Sequence, residues 1–306
     1  MNSASGKKVK TGAAKKSRQK KTRRRGSKES GLRVITSSGR AGRKSALITL
    51  LTDFGNADYF VASMKGVILS KNTAAQIVDI THDIAGQDIE AAAFTLLAAH
   101  TAFPRGTIHV AVVDPGVGSN RRAILIAAKG QFFVGPDNGI FSYVCDEAKP
   151  RIFHLNNSKY FRQPVSDTFN GRDIFAPVAA ALSLGVAPKK LGVEVDDYVR
   201  LPSLKPKNTE DGVISGRVIH IDRFGNCVTN VTQRELTDKI IHDGFSLTIK
   251  GEQVDTLHRF FAEETRDNKV FGVWGSAGFL EVAMRNKSAA KVLQVKRGDS
   301  VLVTRS

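Results

Sequence analysis

The chain has 306 residues, enough for one large domain or two ordinary ones, and its 41% hydrophobic content lies in the globular range. Residues 1–44 hold 16 Lys and Arg against one acid, Glu29, whereas the remainder holds 30 Lys and Arg against 28 acids. The net charge of +17 therefore belongs to the amino-terminal segment, and the nearly neutral remainder lacks the basic surface of a nucleic-acid-binding domain. No apolar run reaches the roughly 18 residues that a membrane-spanning helix needs.

The first 44 residues are predicted to be a disordered basic tail, because they contain no aromatic residue and no apolar periodicity. We interpret this tail as a solvated extension or an over-long start of the reading frame. A contact with nucleic acid or another anionic surface is the alternative. The tail lacks the apolar core of a secretory signal, and an organelle transit peptide is a further alternative. Cys145 and Cys227 are far apart in the sequence and are predicted to be reduced core thiols of a cytoplasmic protein.

Segments with the apolar patterns of strands and helices alternate from residue 46 onward. The predicted strands are 46–52, 76–80, 108–113, 123–128 and 131–134, and the predicted helices are 60–69, 88–99 and 174–184. This alternation predicts an α/β domain over 45–205, in which helices cover a mostly parallel sheet.

A polar segment with prolines at positions 202 and 206 interrupts this pattern and predicts a linker at 201–208. Short predicted strands separated by turns follow at 213–221, 245–249, 270–274, 279–283 and 300–303. They predict a smaller antiparallel β domain over 212–306. A crevice between two domains is a common place for a ligand.

An aspartate and two glycines follow the predicted strand that ends at Val113. Ligands of open α/β sheets bind beyond the carboxyl ends of the strands. Gly116 and Gly118 permit positive φ and close backbone approach, so Asp114 and Arg121 are predicted to face one pocket as a charge pair. The alternative is an ordinary capped turn, which an Asp-Pro-Gly sequence also favours.

Asp53 follows the first predicted strand, at a position where one carboxylate can accept hydrogen bonds from both hydroxyls of a ribose. The alternative is that Asp53 caps the helix that begins after Asp58, and Asp58 could itself be that cap. His82, just after the second predicted strand, is expected to be a hydrogen-bonded loop histidine rather than a catalytic group.

Two turns of the second domain carry polar side chains. The segment 222–226 offers the amide of Asn226, whose donors and acceptor suit an adenine edge or an amino-acid head group. The segment 275–278 directly precedes a predicted strand. In both places the alternative is a plain turn. No group of His or Cys has the spacing of a zinc site, so no metal is predicted.

Six segments, in order, resemble the S-adenosylmethionine hydroxide adenosyltransferase family, which is related to the fluorinases and chlorinases. They are 52–55, 114–121, 135–139, 168–177, 221–226 and 275–278. The resemblance covers residues 46–306. It implies an α/β domain, a smaller β domain, and a homotrimer with sites between neighbouring subunits. It also implies cleavage of S-adenosylmethionine by water to adenosine and methionine, with no cofactor.

The resemblance also assigns roles to individual residues. The implied substrate-binding residues are Asp53 for the ribose, Asp58, Asp222 and Ser276 for the methionine head group, and Asn226, Phe261, Met284 and Asn286 for adenine. Asp114 and Arg121 match two members of the family's Asp-Arg-His triad, which activates water. Asn170 stands at the third position and is a departure. Asn does not titrate near neutrality, although its carbonyl oxygen can orient a water molecule.

Halide transfer is the closest alternative activity. Halogenases of this family carry a serine at the position of Gly171 and a surface insertion that this chain lacks, because it runs from Arg121 through one short hairpin to Gly135. Asp114 stands where fluorinase has a tyrosine, and a carboxylate would repel a halide. We therefore expect hydrolysis. A non-catalytic adenosine- or S-adenosylmethionine-binding protein, in which Asn170 marks lost activity, is the second alternative.

Overall fold

The first of two sheets is built from the amino-terminal part of the chain. The computed structural model describes residues 46–146, 149–209 and 212–305. Among these, the first sheet contains β1 (Leu47–Thr52), β2 (Gln76–Thr81), β3 (Ile108–Val112), β4 (Ala123–Ala128), β5 (Gln131–Pro136), β6 (Arg151–Leu155) and β7 (Gly192–Val195). The strand order is β2-β1-β3-β5-β4-β6-β7.

Half of this sheet is parallel and half is antiparallel. β1 is parallel to β2 and β3, and β3 is parallel to β5. β4 is antiparallel to β5 and β6, and β6 is antiparallel to β7. The expectation of a mostly parallel sheet is therefore correct only for the first half. Lys129 and Gly130 both have positive φ, and this two-residue loop folds β5 back onto β4.

Helices cover both faces of this sheet. They are α1 (Phe60–Lys71), α2 (Ile89–His100), α3 (Ser142–Cys145), α4 (Ala176–Ser183) and α5 (Pro188–Leu191), with a short 3₁₀ turn at Ser158–Tyr160. Ile48 and Leu50 of β1 share a buried cluster with α1 and α4, whereas Leu51 shares another with α2. The helix predicted at 174–184 divides into a π-helical turn, Gly171–Phe175, and α4.

The second sheet is almost entirely antiparallel. Its strands are β8 (Lys207–Asn208), β9 (Ile214–Ile221), β10 (Cys227–Thr232), β11 (Phe245–Ile249), β12 (Glu252–Val254), β13 (Leu257–His258), β14 (Val270–Trp274), β15 (Phe279–Met284) and β16 (Ser300–Arg305). The order is β12-β11-β16-β9-β10-β15-β14-β13, with β8 beside β9. Among the described strands of this second sheet, only β13 and β14 pair in parallel. The accompanying helices are α6 (Asp238–Asp243), α7 (Ala289–Val292) and a 3₁₀ turn at Phe261–Glu263.

The two sheets meet through α2. Phe94 stacks on His220 at 4.9 Å between ring centroids and contacts Phe279 of β15 at 5.8 Å.

Cys145 and Cys227 are buried, free thiols. None of the helices in the described ranges is long and apolar enough to cross a membrane. The domain boundaries 45–205 and 212–306 stay predictions, and the basic tail at 1–44 lies outside the described residues.

Candidate active site

Asp114, Arg121 and Asn170 form one hydrogen-bonded cluster. Asp114 follows β3, Arg121 precedes β4, and Asn170 directly precedes the π-helical turn. Nε of Arg121 donates to Oδ1 of Asp114 at 2.8 Å, while Nη2 donates to Oδ2 of Asp114 and, at 2.6 Å, to Oδ1 of Asn170. The side chains of Asp114 and Arg121 are 5% and 11% exposed, so this two-pronged ion pair is shielded from water. The structure thus brings together the three residues that the sequence linked to catalysis.

The amide of Asn170 has one orientation. A guanidinium only donates hydrogen bonds, so the amide oxygen faces Arg121. The amide nitrogen donates to the Ser166 carbonyl at 3.1 Å. Because the side chain is buried and both ends are engaged, Asn170 holds the Arg121 guanidinium in place. The oxygen that we expected to orient a water molecule is instead turned toward Arg121.

A glycine allows the two loops of this cluster to approach each other. Gly118 has a φ of +79°, and a Cβ at this position would lie 2.6 Å from the carbonyl oxygen of Asp167. Both the backbone conformation and this contact make a larger residue unfavourable at this position. The loop that carries Asp114 and Arg121 can therefore pack against the loop that carries Asn170.

Asp53 and Asp114 lie at neighbouring strand ends. β1 and β3 are adjacent and parallel, and their last residues are in register, so both carboxylates follow the same edge of the sheet. Oδ2 of Asp53 accepts a hydrogen bond from the backbone N–H of Gln87 at 2.9 Å. The alternative role of Asp53 or Asp58 as a helix cap is wrong, because the N-cap residue of α1 is Tyr59 and no side chain caps this helix.

The second sheet carries an open pocket of about 730 Å³. Its lining comprises Phe224, Asn226, Phe261, Ala262, Met284, Arg285, Asn286, Lys287 and Ser288. These include the four residues that the resemblance links to adenine. The ring of Phe261 is half exposed and contacts the buried ring of Phe271, with 6.4 Å between centroids. A supported, open aromatic face suits a flat ligand ring.

The turn between β9 and β10 positions Asn226 in this pocket. Oδ1 of Asp222 accepts from the backbone N–H groups of Phe224 and Asn226 at 2.9 and 2.8 Å, and Oδ2 accepts from Nδ2 of Asn226 at 2.8 Å. Asp222 therefore stabilises the turn, as its alternative interpretation expected. These contacts fix the Asn226 amide and direct its nitrogen toward Asp222.

The remaining candidates lie outside the pocket lining. Ser276 is exposed in the turn between β14 and β15, and Asp58 is exposed just before α1. His82 is buried, with Nδ1 2.9 Å from Oγ1 of Thr52, as expected for a hydrogen-bonded loop histidine. The backbone groups of Ser166 and Gln87, which hold Asn170 and Asp53, could not be foreseen, because a backbone carbonyl or amide leaves no signature in residue type.

Two family models match this chain. The model of the SAM (S-adenosylmethionine) hydroxide adenosyltransferase N-terminal domain matches residues 48–192, and that of the C-terminal domain matches residues 216–302. The chain belongs to the SAM hydroxide adenosyltransferase family. The family resemblance of the six sequence segments is thereby confirmed.

The relatives align with this chain over nearly the whole of their own length. A protein named (R)-S-adenosyl-L-methionine hydrolase from Methanocaldococcus jannaschii is 38% identical, over 83% of this chain and 94% of its own. A protein of the same name from Thermus thermophilus is 36% identical, over 82% and 96%. A fluorinase from an Actinoplanes species is 26% identical, over 85% and 98%. The crystal structure of an uncharacterized conserved protein from Thermotoga maritima has a TM-score of 0.77 at 34% identity, over 84% and 100%.

Proposed function

We propose that this SAM hydroxide adenosyltransferase hydrolyses S-adenosylmethionine by attack of water at the ribose 5′ carbon, which gives adenosine and methionine. The observation that carries this proposal is the cluster of Asp114, Arg121 and Asn170 at the sheet edge that also carries Asp53. The hydrolase names of the relatives at 36% and 38% identity support the same reaction. Because those names specify the R configuration at sulfur, the R epimer is the proposed substrate.

The main catalytic requirement of the proposed reaction is that the protein holds the water and the substrate in line. A sulfonium leaves as a neutral thioether, so the proposed reaction needs no general acid, metal or other cofactor. Asp114 accepts the proton of the attacking water. Arg121 fixes both carboxylate oxygens of Asp114, and Asn170 fixes Arg121. Alignment of the water, the 5′ carbon and the sulfur then supplies a large part of the rate enhancement.

The substrate-binding roles follow the family assignment. Asp53 accepts the ribose hydroxyls beside Asp114. Asn226 contacts the adenine edge and Phe261 its face, in the pocket that the 284–288 segment also lines. The head group is assigned to Asp58, Asp222 and Ser276.

The sites are proposed to lie between neighbouring subunits of a homotrimer. Large aromatic side chains are exposed at both halves of the site, since Phe224 and Phe261 are 76% and 49% exposed at the pocket and Tyr59 is 63% exposed beside Asp58. A subunit interface would cover such rings. Mixed trimers of Asp114→Asn and Asn226→Ala subunits should then regain activity, and mixing without any gain would contradict shared sites.

Halide transfer is less favoured. A Cβ at Gly171 would lie 3.1 Å from the sulfur of Met64 and 3.6 Å from the ring of Phe54, which leaves little room for the serine of the halogenases.

The free thiols of Cys145 and Cys227 support a reducing compartment, for which the cytoplasm is the proposed choice.

Incubation of the purified protein with resolved R and S epimers, followed by chromatography, tests the proposed function. Adenosine and methionine should appear from the R epimer in chelator-treated, halide-free buffer, and Asp114→Asn should release neither. A requirement for chloride with formation of 5′-chloro-5′-deoxyadenosine would establish the halogenase alternative. Binding of the substrate without any turnover would establish the non-catalytic alternative.

A further inference from the structure

Glu281 presents a carboxylate without a partner on the second sheet. It lies in the middle of β15, opposite Val228 of β10 and Val273 of β14. Within the described ranges, no side chain or backbone N–H forms a hydrogen bond or ion pair with it. A half-buried, unpaired carboxylate reduces the free energy of unfolding. Features that weaken a fold in this way are concentrated at functional sites.

Glu281 lies on the sheet face that supports the pocket. Glu281 and Ala283 are two residues apart in one strand and so point to the same face. Ala283 is paired with Phe271, the residue on which the pocket residue Phe261 packs. Glu281 is therefore about 7 Å along the strand from this row of residues, as two steps of about 3.3 Å require.

In the other direction, the carboxylate of Glu281 reaches the turn that contains Ser276. A Cβ at Gly275 would collide with Oε1 of Glu281, so the carboxylate lies directly against the backbone at the start of this turn. Burial, and to a lesser extent the charge of Asp222, raise the pKa of Glu281, which places Asp222 close by as well. Glu281 thus lies close to both Ser276 and Asp222, the two residues of this sheet that are assigned to the head group.

Asp222 is already occupied. Its carboxylate accepts three hydrogen bonds from its own turn, whereas Glu281 accepts none from the described residues. An ammonium group has three donors and no acceptor, so it needs a carboxylate whose oxygens are available.

We infer that Glu281 binds the α-ammonium group of the amino-acid part of the substrate, and that it selects ligands that carry this group. This role rests on the proposed function, because it assumes that an amino-acid head group follows the adenosine along the sheet face. The substrate cation then supplies the partner that Glu281 lacks in the free protein.

Calorimetric titration of Glu281→Gln with three uncleavable thioethers tests this role. They are S-adenosylhomocysteine, its decarboxylated form, which keeps the amino group, and its deaminated form, which keeps the carboxylate. The Kd of the first two should rise roughly 10- to 100-fold, as for loss of a hydrogen bond between charged groups, while the Kd of the deaminated form stays unchanged. Glu252→Gln, at an exposed position of β12, is the matched control and should change none of the three.

The outcomes separate the two proposals. Equal losses for all three ligands, or no loss for any, would overturn the role of Glu281. Wild-type protein that binds S-adenosylhomocysteine but releases no adenosine from S-adenosylmethionine would overturn the proposed function alone. The melting temperature of ligand-free Glu281→Gln should equal or exceed that of the wild type, because an unpaired carboxylate is removed. If this variant does not fold, Gly275→Ala, which displaces the carboxylate, should show the same selective loss of affinity. The same change in Kd for all three ligands, or no change for any, would then overturn the role.

Discussion

Replacement of Asn170 by alanine should lower turnover and leave substrate affinity nearly unchanged. The change removes the oxygen that Nη2 of Arg121 contacts at 2.6 Å and leaves the Ser166 carbonyl without its donor. Arg121 keeps its hydrogen bonds to Asp114, but its guanidinium group can rotate once the contact with residue 170 is lost. A hydrogen bond to a charged group contributes about 1.5–3 kcal/mol, so we expect kcat to fall roughly 10- to 100-fold.

Initial rates of adenosine release over a range of substrate concentrations separate kcat from KM. Asn157→Ala, in an exposed turn where the Asn157 amide caps a 3₁₀ turn, is the matched control for the loss of an amide and should keep the wild-type kcat. A kcat equal to that of the wild type, or a rise in KM alone, would refute the role of Asn170 in holding Arg121.

Asn170→His extends the same test to pH. A neutral imidazole accepts through one nitrogen and donates through the other, which reproduces the pattern that the amide makes with Arg121 and Ser166. An imidazolium cannot accept, and the nearby guanidinium should hold its pKa below the usual value of about 6.5. The variant should therefore exceed Asn170→Ala in kcat above about pH 7 and lose this advantage as the pH falls through that pKa. A pH-independent advantage would contradict the proposed contact.

Three further predictions follow from single contacts. Asp53→Ala should weaken substrate binding by about 2–4 kcal/mol with little change in kcat, and calorimetry that finds wild-type affinity would remove Asp53 from the site. Gly118→Ala should lower the free energy of unfolding by about 1–3 kcal/mol, through its positive φ and its contact with Asp167, and an unchanged urea midpoint would contradict this. Burial lowers the pKa of His109 to about 4, whereas its pKa in the unfolded chain is about 6.5. The unfolded state therefore takes up a proton first, and the free energy of unfolding should fall as the pH is lowered from about 6.5 toward 4. Urea titrations should show a loss of about 3 kcal/mol over this window, and the same slope in His109→Gln would assign it to another group.

The catalytic cluster could be predicted because its charges stand where the strand pattern ends. Asp114 follows a buried apolar strand, and two glycines separate it from Arg121, so residue type and position pointed to the same sheet edge. Asn170 was found only through the family resemblance, since an asparagine in a loop has no distinctive pattern. Its hydrogen-bond partner is a backbone carbonyl, which no sequence shows.

The direction of the strands was harder to predict. β4 is apolar at every position, and a strand buried on both faces has the same composition in a parallel sheet and in an antiparallel one. The short loop at Lys129 and Gly130 carried the information, and the hairpin expected between Arg121 and Gly135 is present. The expectation of a mostly parallel sheet did not take this hairpin into account. Glu281 was likewise not recognised, because its surroundings depend on the register of β15 with β10 and β14.

Reaction in oxygen-18-labelled water is the most direct test of the central claim, that water attacks the 5′ carbon of S-adenosylmethionine. Mass spectrometry of the products should find one labelled oxygen in the 5′-hydroxyl of adenosine and unlabelled methionine. Unlabelled adenosine, or label in the amino-acid product, would show that bond cleavage occurs elsewhere and would contradict the account.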